Sequence, residues 1–297
     1  MRILVTGAKG MLGTALLPVL RQRHQVWGVD VQDCDICDVG AVSAVLRTRQ
    51  PELVIHLAAY TNVDGCEANP RIAEETNSMG TRNLAMACAQ ADATMLYVST
   101  DYVFDGSKIG AYVEDDSPHP VSVYGRSKLM GEQHVRTALK RYFIARTSWL
   151  YGPGGKNFVT TILKVAHQRK VLRVVNDQQG SPTYTRHLSL KIAELAETQA
   201  YGIYHMTGSG TCSWFEFAMT ILDLWPVEGV QVLPISSGEY GQAARRPANS
   251  VLENRALKSA HLELMPHWKA ALAEYIDEIR QSGRTQNFEE SQHGNAS

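Results

Sequence analysis

Arg2-Ile-Leu-Val-Thr-Gly7-Ala8-Lys9-Gly10-Met11-Leu12-Gly13 opens the chain and sets its architecture. The run up to Thr6 is short and apolar and reads as a buried strand; Leu16, Leu17 and Leu20 continue at helical spacing beyond Gly13. Gly7, Gly10 and Gly13 thus fall in a strand-to-helix turn with the pattern G-x-x-G-x-x-G. Glycine lets the backbone approach a pyrophosphate closely. The helix N-terminus adds free N–H groups and the positive end of the helix dipole. The expectation is a dinucleotide site built from Gly7, Lys9, Gly10, Met11, Leu12 and Gly13.

Working outward, Gln25-Val-Trp-Gly-Val-Asp30 reads as a second strand closed by a carboxylate, near the place where an acidic side chain grips a ribose 2′-hydroxyl. Asp35-Ile36-Cys37-Asp38 resembles a loop that lies under an adenine. Residues 39–50 form a helical pattern stopped by Pro51. Residues 53–59 read as a third buried strand, and its end, Leu57-Ala58-Ala59 with Tyr60 next, is small enough to let a cofactor lie close. Residues 69–91 read as one long amphipathic helix. Asn77 within it is either a surface polar residue or a bridge between strands and catalytic groups. Residues 94–100 make a fourth strand ending on Ser99, Thr100 and Asp101, at the edge where open α/β sheets place ligands. A further strand spans 142–150. Alternating strands and helices predict a doubly wound parallel sheet of the Rossmann type.

The rhythm changes after Tyr151. Turn-rich residues 151–157 lead into helical patterns at 158–168, 186–198, 214–224 and 266–281, with strands at 172–176 and 202–206. The expected division is a dinucleotide-binding domain over 1–151, to which later strands are free to return, and a mainly substrate-binding lobe over 152–281. The polar stretch 282–297 is expected to be disordered.

Composition excludes several classes. The chain has 297 residues, 44% hydrophobic and 20% charged, with a net charge of −1. There is no basic footprint for nucleic acid, and no apolar run near the roughly 20 residues that span a bilayer. No secretory leader precedes the first strand, so a cytoplasmic protein is expected. The five cysteines are scattered; Cys34-Asp-Ile-Cys37 has no second pair at zinc spacing, so no metal site is expected.

Tyr124-Gly-Arg-Ser-Lys128 places a phenol and an ammonium on one face of a helix. A tyrosine with its ordinary pKa of about 10 is a poor acid or base near neutrality. A neighbouring lysine cation is expected to favour the phenolate and bring that value down. Such a pair can protonate a carbonyl oxygen or deprotonate an alcohol.

Taken together, the glycine turn, the acidic second-strand end, Ser99-Thr100 and Tyr124-x-x-x-Lys128 resemble an extended short-chain dehydrogenase/reductase. Ser99-Thr-Asp-Tyr-Val-Phe104, Arg146-Thr-Ser-Trp149, Asn176-Asp-Gln-Gln-Gly-Ser-Pro-Thr183 and Arg246-Pro-Ala-Asn-Ser250 narrow the likeness to the dTDP-4-dehydrorhamnose reductase family. The resemblance runs from Gly7 to Trp268. It implies reduction of the C4 ketone of dTDP-4-dehydro-β-L-rhamnose by NADH or NADPH. It further implies that Tyr124 protonates the alkoxide, Lys128 holds the nicotinamide ribose and Thr100 orients the carbonyl.

For the sugar nucleotide, the expected contacts are Thr61 and Val63 after the third strand, Thr100, Asp101 and Tyr102, a stacking surface from Trp149, and Asn157. Arg246 is expected to pair with the diphosphate, because a guanidinium binds phosphate oxygens bidentately. Some family members dimerise around Mg²⁺ held partly by a glutamate two positions after the third glycine. Here that position is Ala15, which cannot ligate a hard ion; a homodimer would use another surface. Rival readings are a reductase giving the C4 epimer or acting on another nucleotide sugar, a dinucleotide-binding sensor, and a non-catalytic partner like the regulatory subunit of methionine adenosyltransferase.

Overall fold

Strand β1 (Arg2–Thr6) leaves Ile3, Leu4 and Val5 with no exposed surface, because it sits inside the sheet it begins. The computed structural model describes residues 1–282. It contains β2 (Gln25–Val29), β3 (Leu53–His56), β4 (Thr94–Thr100) and β5 (Tyr142–Thr147). With the strand Gly202–His205 they form a six-stranded sheet ordered Gly202–His205, β5, β4, β3, β1, β2. Every neighbouring pair is parallel. Strands covered on both faces read as unbroken apolar runs rather than alternating ones. One face packs against helices Met11–Leu20 and Thr185–Ala196 through Leu12, Leu16, Leu188 and Ile192. The other packs against Val39–Arg49, Thr81–Gln90 and Val123–Ala138 through Val42, Leu84 and Val135. The doubly wound parallel sheet expected from the sequence is what the chain forms.

Three expected elements are corrected. The strand placed in the smaller lobe from its position, residues 202–206, joins the central sheet instead, pairing Gly202 with Phe143 through to His205 with Arg146. Its Tyr204 and Met206 belong to the core under the sheet. The strand expected over 142–150 breaks after Thr147. Trp149 takes the left-handed region (φ 47°), and Leu150–Tyr151 pairs separately with Thr183–Tyr184. The helix expected over 69–91 contains a wider π-helical stretch, Glu74–Gly80, between Pro70–Ala73 and Thr81–Gln90. Such turns recur at functional sites, and this one carries Asn77.

A second cluster is built from helices Phe158–Gln168, Trp214–Leu224 and Trp268–Gln281 around Tyr151, Tyr184, Phe217, Trp268 and Tyr275. Val171–Val175 pairs with Gln231–Ile235 beside it. From residue 283 on, the expected tail lies outside the described residues. Among the described residues no helix is long and apolar enough to cross a membrane, and no group of three or more His, Cys, Asp or Glu could hold a metal ion.

Candidate active site

The chain reverses direction across the sheet between β1 and β3, and a cleft of about 940 Å³ opens at the carboxyl ends of these strands and β4. Open α/β sheets bind ligands at such a switch point. Gly7 begins the cleft with φ +68°, a conformation that L side chains rarely adopt, and a Cβ there would lie 2.6 Å from the Ala58 amide nitrogen. A Cβ on Gly13 would lie 2.5 Å from the Gly7 carbonyl oxygen. Only glycine closes this turn, so the residues present fit a pyrophosphate cradle. The Lys9 amide donates to Asp30 Oδ2 at 3.0 Å, which ties the end of β2 to the cradle. Asp35 and Ile36 line the far end.

Helix Val123–Ala138 starts at Ser122, whose Oγ accepts from the Gly125 amide at 3.1 Å. Its first turn sets the Tyr124 ring edge-on to Tyr102, with centroids 6.0 Å apart. One turn on, Lys128 is 3% exposed and donates from Nζ to the Val98 carbonyl at 2.8 Å. Burial pushes this ammonium down to about 7, and Glu132 opposes the shift. The Tyr124 phenol moves the other way from the sequence expectation. Burial deep in the cleft and then the Asp101 carboxylate push it up, while the Thr100 hydroxyl favours ionisation. Desolvation and a like charge both penalise a phenolate. The phenol is therefore held protonated, which is the form a proton donor needs.

Asn77 is fully buried and bridges two elements. Its Oδ1 accepts from the Tyr60 amide at 2.7 Å, and its Nδ2 donates to the Tyr60 carbonyl and to Ser127 Oγ, each at 3.0 Å. Ser127 in turn donates to the Tyr124 carbonyl at 2.8 Å. A second chain runs from Thr6 through His56 to Thr81, which donates to the Asn77 carbonyl. Thr81 has only one proton to give, so His56 Nε2 carries the hydrogen and Nδ1 accepts from Thr6. Burial and Lys128 hold this histidine neutral, at about 3. Behind both chains, Arg146 and Glu132 form a buried bidentate pair, with bonds of 2.9 and 2.7 Å.

Most of the sequence-predicted residues meet around the one cleft. Gly7, Lys9, Gly10, Met11, Leu12, Gly13, Asp30, Asp35, Ile36, Leu57, Ala58, Ala59, Thr61, Val63, Thr100, Asp101, Tyr102, Tyr124, Lys128 and Trp149 all line it. Four do not. Tyr60 and Asn77 lie behind the lining and position it. Asn157 instead caps helix Phe158–Gln168, with Oδ1 on the Thr160 amide and Nδ2 on the Gly152 carbonyl. Arg246 is not in the lining: Asp64 engages its guanidinium through both oxygens, at 3.2 and 2.9 Å, and it also reaches the Tyr102 phenol. Sequence reading missed Trp214, whose ring stacks on Trp149 at 3.4 Å, and Lys156, which lines the same cleft. The aromatic start of helix Trp214–Leu224 was the available signal for the first; an isolated lysine in a glycine-rich turn offered none for the second.

Asp64 also accepts from the Ala244 amide at 2.9 Å, so the Arg246 pair anchors the loop to helix Val63–Ala68. Asp64 is 44% exposed, so Arg246→Ala and Asp64→Ala are each expected to destabilise by about 1 kcal/mol or less in thermal denaturation. Arg246 holds the Asp64 carboxyl below its usual range. The contribution is therefore full above about pH 4 and fades as pH falls further. Loss of stability in neither variant, with a raised KM for a sugar nucleotide in Arg246→Ala alone, would restore Arg246 as a phosphate ligand.

Comparison with known proteins agrees with this geometry. The model of the RmlD substrate binding domain matches residues 1–281. The spore coat polysaccharide biosynthesis protein SpsK of Bacillus subtilis (strain 168) is 41% identical over 278 residues, covering 93% of this chain and 97% of that one. A dTDP-4-dehydrorhamnose reductase of Aggregatibacter actinomycetemcomitans is 39% identical over 284 residues, covering 91% and 97%. The crystal structure of dTDP-4-dehydrorhamnose reductase from Bacillus anthracis str. Ames, in complex with NADP, superposes with a TM-score of 0.91 at 40% identity, covering 93% of this chain and 99% of that one. With its glycine cradle, its Thr100–Tyr124–Lys128 cluster and a match along nearly its whole length, the chain belongs to the RmlD substrate binding domain family.

Proposed function

We propose that the protein reduces the C4 ketone of dTDP-4-dehydro-β-L-rhamnose to dTDP-β-L-rhamnose with NADH or NADPH. The observation that carries this reading is the convergence of Thr100, Tyr124 and Lys128 at the end of a cleft that begins in a glycine cradle. The reduced nicotinamide supplies the hydride when bound. As negative charge builds on the ketone oxygen, Tyr124, kept protonated by burial, gives its proton there. Thr100 sits beside the phenol to orient the same oxygen, and Lys128 is fixed under β4 by the Val98 carbonyl to meet the nicotinamide ribose. Trp149, stacked on Trp214, supplies a flat apolar wall for the sugar nucleotide.

In this reading residues 1–151, with the returning helix and strand, hold the cofactor. The smaller unit within 152–281 completes the sugar site, and the protein works in the cytoplasm. Any homodimer would form without a metal bridge at Ala15. Cofactor oxidation that depends on the dTDP-keto sugar tests the reading; oxidation without the sugar, or none with it, counts against it.

Asp30 bears on cofactor choice. Its carboxylate, set by the Lys9 amide, suits a free 2′-hydroxyl and repels a 2′-phosphate, whereas the relative from Bacillus anthracis was solved with NADP. Both cofactors are expected to work, with NADH at least competitive, and Asp30→Ala is expected to move the kcat/KM ratio toward NADPH by roughly tenfold, about 1.4 kcal/mol. An unchanged ratio would place the ribose away from Asp30.

A further inference from the structure

Asp101 is 2% exposed and lines the cleft beside the reacting groups. Its Oδ1 lies 3.0 Å from Thr100 Oγ1, and its Oδ2 is buried without a hydrogen-bond partner. The Ser250 hydroxyl nearby is directed at the Gln179 carbonyl, 3.3 Å away. Among the described residues no cation pairs with the carboxyl. The titratable groups facing it are the Tyr102 and Tyr124 phenols, with Arg246 reaching Tyr102 and Cys66 behind Tyr124. The Ser250 and Thr100 hydroxyls and the Asp101 and Tyr102 amides favour the ionised form, but burial outweighs them, because an ionised carboxylate with no cation beside it is costly in such surroundings.

The proton inventory around Thr100 sharpens the point. A hydroxyl has one hydrogen to donate and can accept two. Thr100 Oγ1 already accepts from the Tyr102 amide at 3.2 Å. If Asp101 is ionised, it takes the single Thr100 hydrogen, and none is left for the phenol or the ketone. If Asp101 carries a proton, it donates to Thr100, whose own hydrogen is then free to point at Tyr124.

We propose that Asp101 is the proton store of this site: it rests as the neutral acid and, acting through the Thr100 hydroxyl, reloads Tyr124 after each reduction. The proposal rests on the reductase reading given above. The ketone carbon gains a hydride from the reduced nicotinamide, which is oxidised, and its oxygen gains the Tyr124 proton. The phenolate then takes the Thr100 proton as Thr100 takes that of Asp101. The resulting Asp101 carboxylate is reprotonated by water when the cleft opens to solvent. The direction is favourable, because burial raises the Asp101 carboxyl only to about 7 while the phenol is raised above its already higher ordinary value.

Two measurements test this. Infrared spectroscopy of the free protein below pH 7 is expected to show a protonated-carboxyl stretch that disappears as pH rises through about 7 and is missing from Asp101→Asn; no such band in the wild type overturns the proposal. In stopped-flow reduction, Asp101→Asn is expected to lose far more in later turnovers than in the first, because Tyr124 starts loaded whatever the substitution does to substrate placement. Later turnovers should slow tenfold or more, within the range of general-acid effects. Its kcat should also lose part of the decline that wild type shows above neutrality. Lys128 titrates in the same range, so the variant comparison isolates the Asp101 part. Unchanged steady-state turnover, or equal losses in first and later turnovers, overturns the proposal. A wild type that never oxidises cofactor with the keto sugar overturns the reductase reading instead, and the infrared band still judges Asp101.

Discussion

Tyr124→Phe is expected to lower kcat by roughly 10²- to 10⁴-fold, the usual share of a positioned general acid, while leaving cofactor affinity within about twofold. Phenylalanine keeps the ring that meets Tyr102 edge-on and removes only the hydroxyl. The large expected loss follows from the environment of that hydroxyl. Burial keeps the proton on the phenol at neutral pH, so nearly every molecule starts with its acid loaded. Lys128 cannot substitute, since its Nζ is turned to the Val98 carbonyl and lies 4.2 Å from the centre of the Tyr97 ring. Stopped-flow reduction beside fluorescence titration of the cofactor separates the two effects. A kcat near wild type would remove Tyr124 from the chemistry, and a parallel loss of cofactor binding would make it structural.

Glu132→Ala is expected to destabilise the protein by about 3–5 kcal/mol, because it leaves the Arg146 charge buried without its partner. Arg146 and Glu132 are 2% and 1% exposed. Glu132 Oε1 also accepts from Ser99 Oγ at 2.6 Å, so the alanine orphans a hydroxyl as well. Little nearby can compensate. Arg146 Nη1 already lacks a hydrogen-bond partner, and His205 beside it is held neutral, at about 3, by burial and by Arg146. Glu132 is also the group that opposes the downward shift of Lys128, so its loss should lower that ammonium further and weaken activity in the molecules that still fold. Glu132→Gln keeps an acceptor and is expected to lose less. Urea denaturation of the three proteins measures this, and a loss below about 1 kcal/mol for the alanine variant would mean that Arg146 finds other solvation.

Much of this was legible in the amino-acid order because the relevant signals are local. Gly7, Gly10 and Gly13 sit between an apolar run and a helical period, and a turn that only glycine can close leaves the same trace in sequence and structure. The parallel sheet was legible for a similar reason: β1, β3 and β4 are continuous apolar runs ended by small or polar residues. What the amino-acid order leaves open is decided at long range. Nothing within Gly202–His205 says that it pairs with β5 rather than with the smaller unit. Arg246 carries the charge a diphosphate needs, and Asp64, 182 residues away in sequence, holds its guanidinium. Asn157 has a polar amide at the right junction, but the first turn of the next helix claims it. The Tyr124–Lys128 spacing correctly brought two groups to one cleft and gave the wrong direction for the phenol, because spacing reports a neighbouring charge and not the burial that outweighs it.

The most direct test of the central claim is product analysis. Purified protein is incubated with dTDP-4-dehydro-β-L-rhamnose and NADH or NADPH, and the sugar nucleotide is identified by mass and by NMR of its C4 configuration. The expected result is stoichiometric cofactor oxidation with dTDP-β-L-rhamnose as product. No oxidation with either cofactor, or a product epimeric at C4, would contradict it.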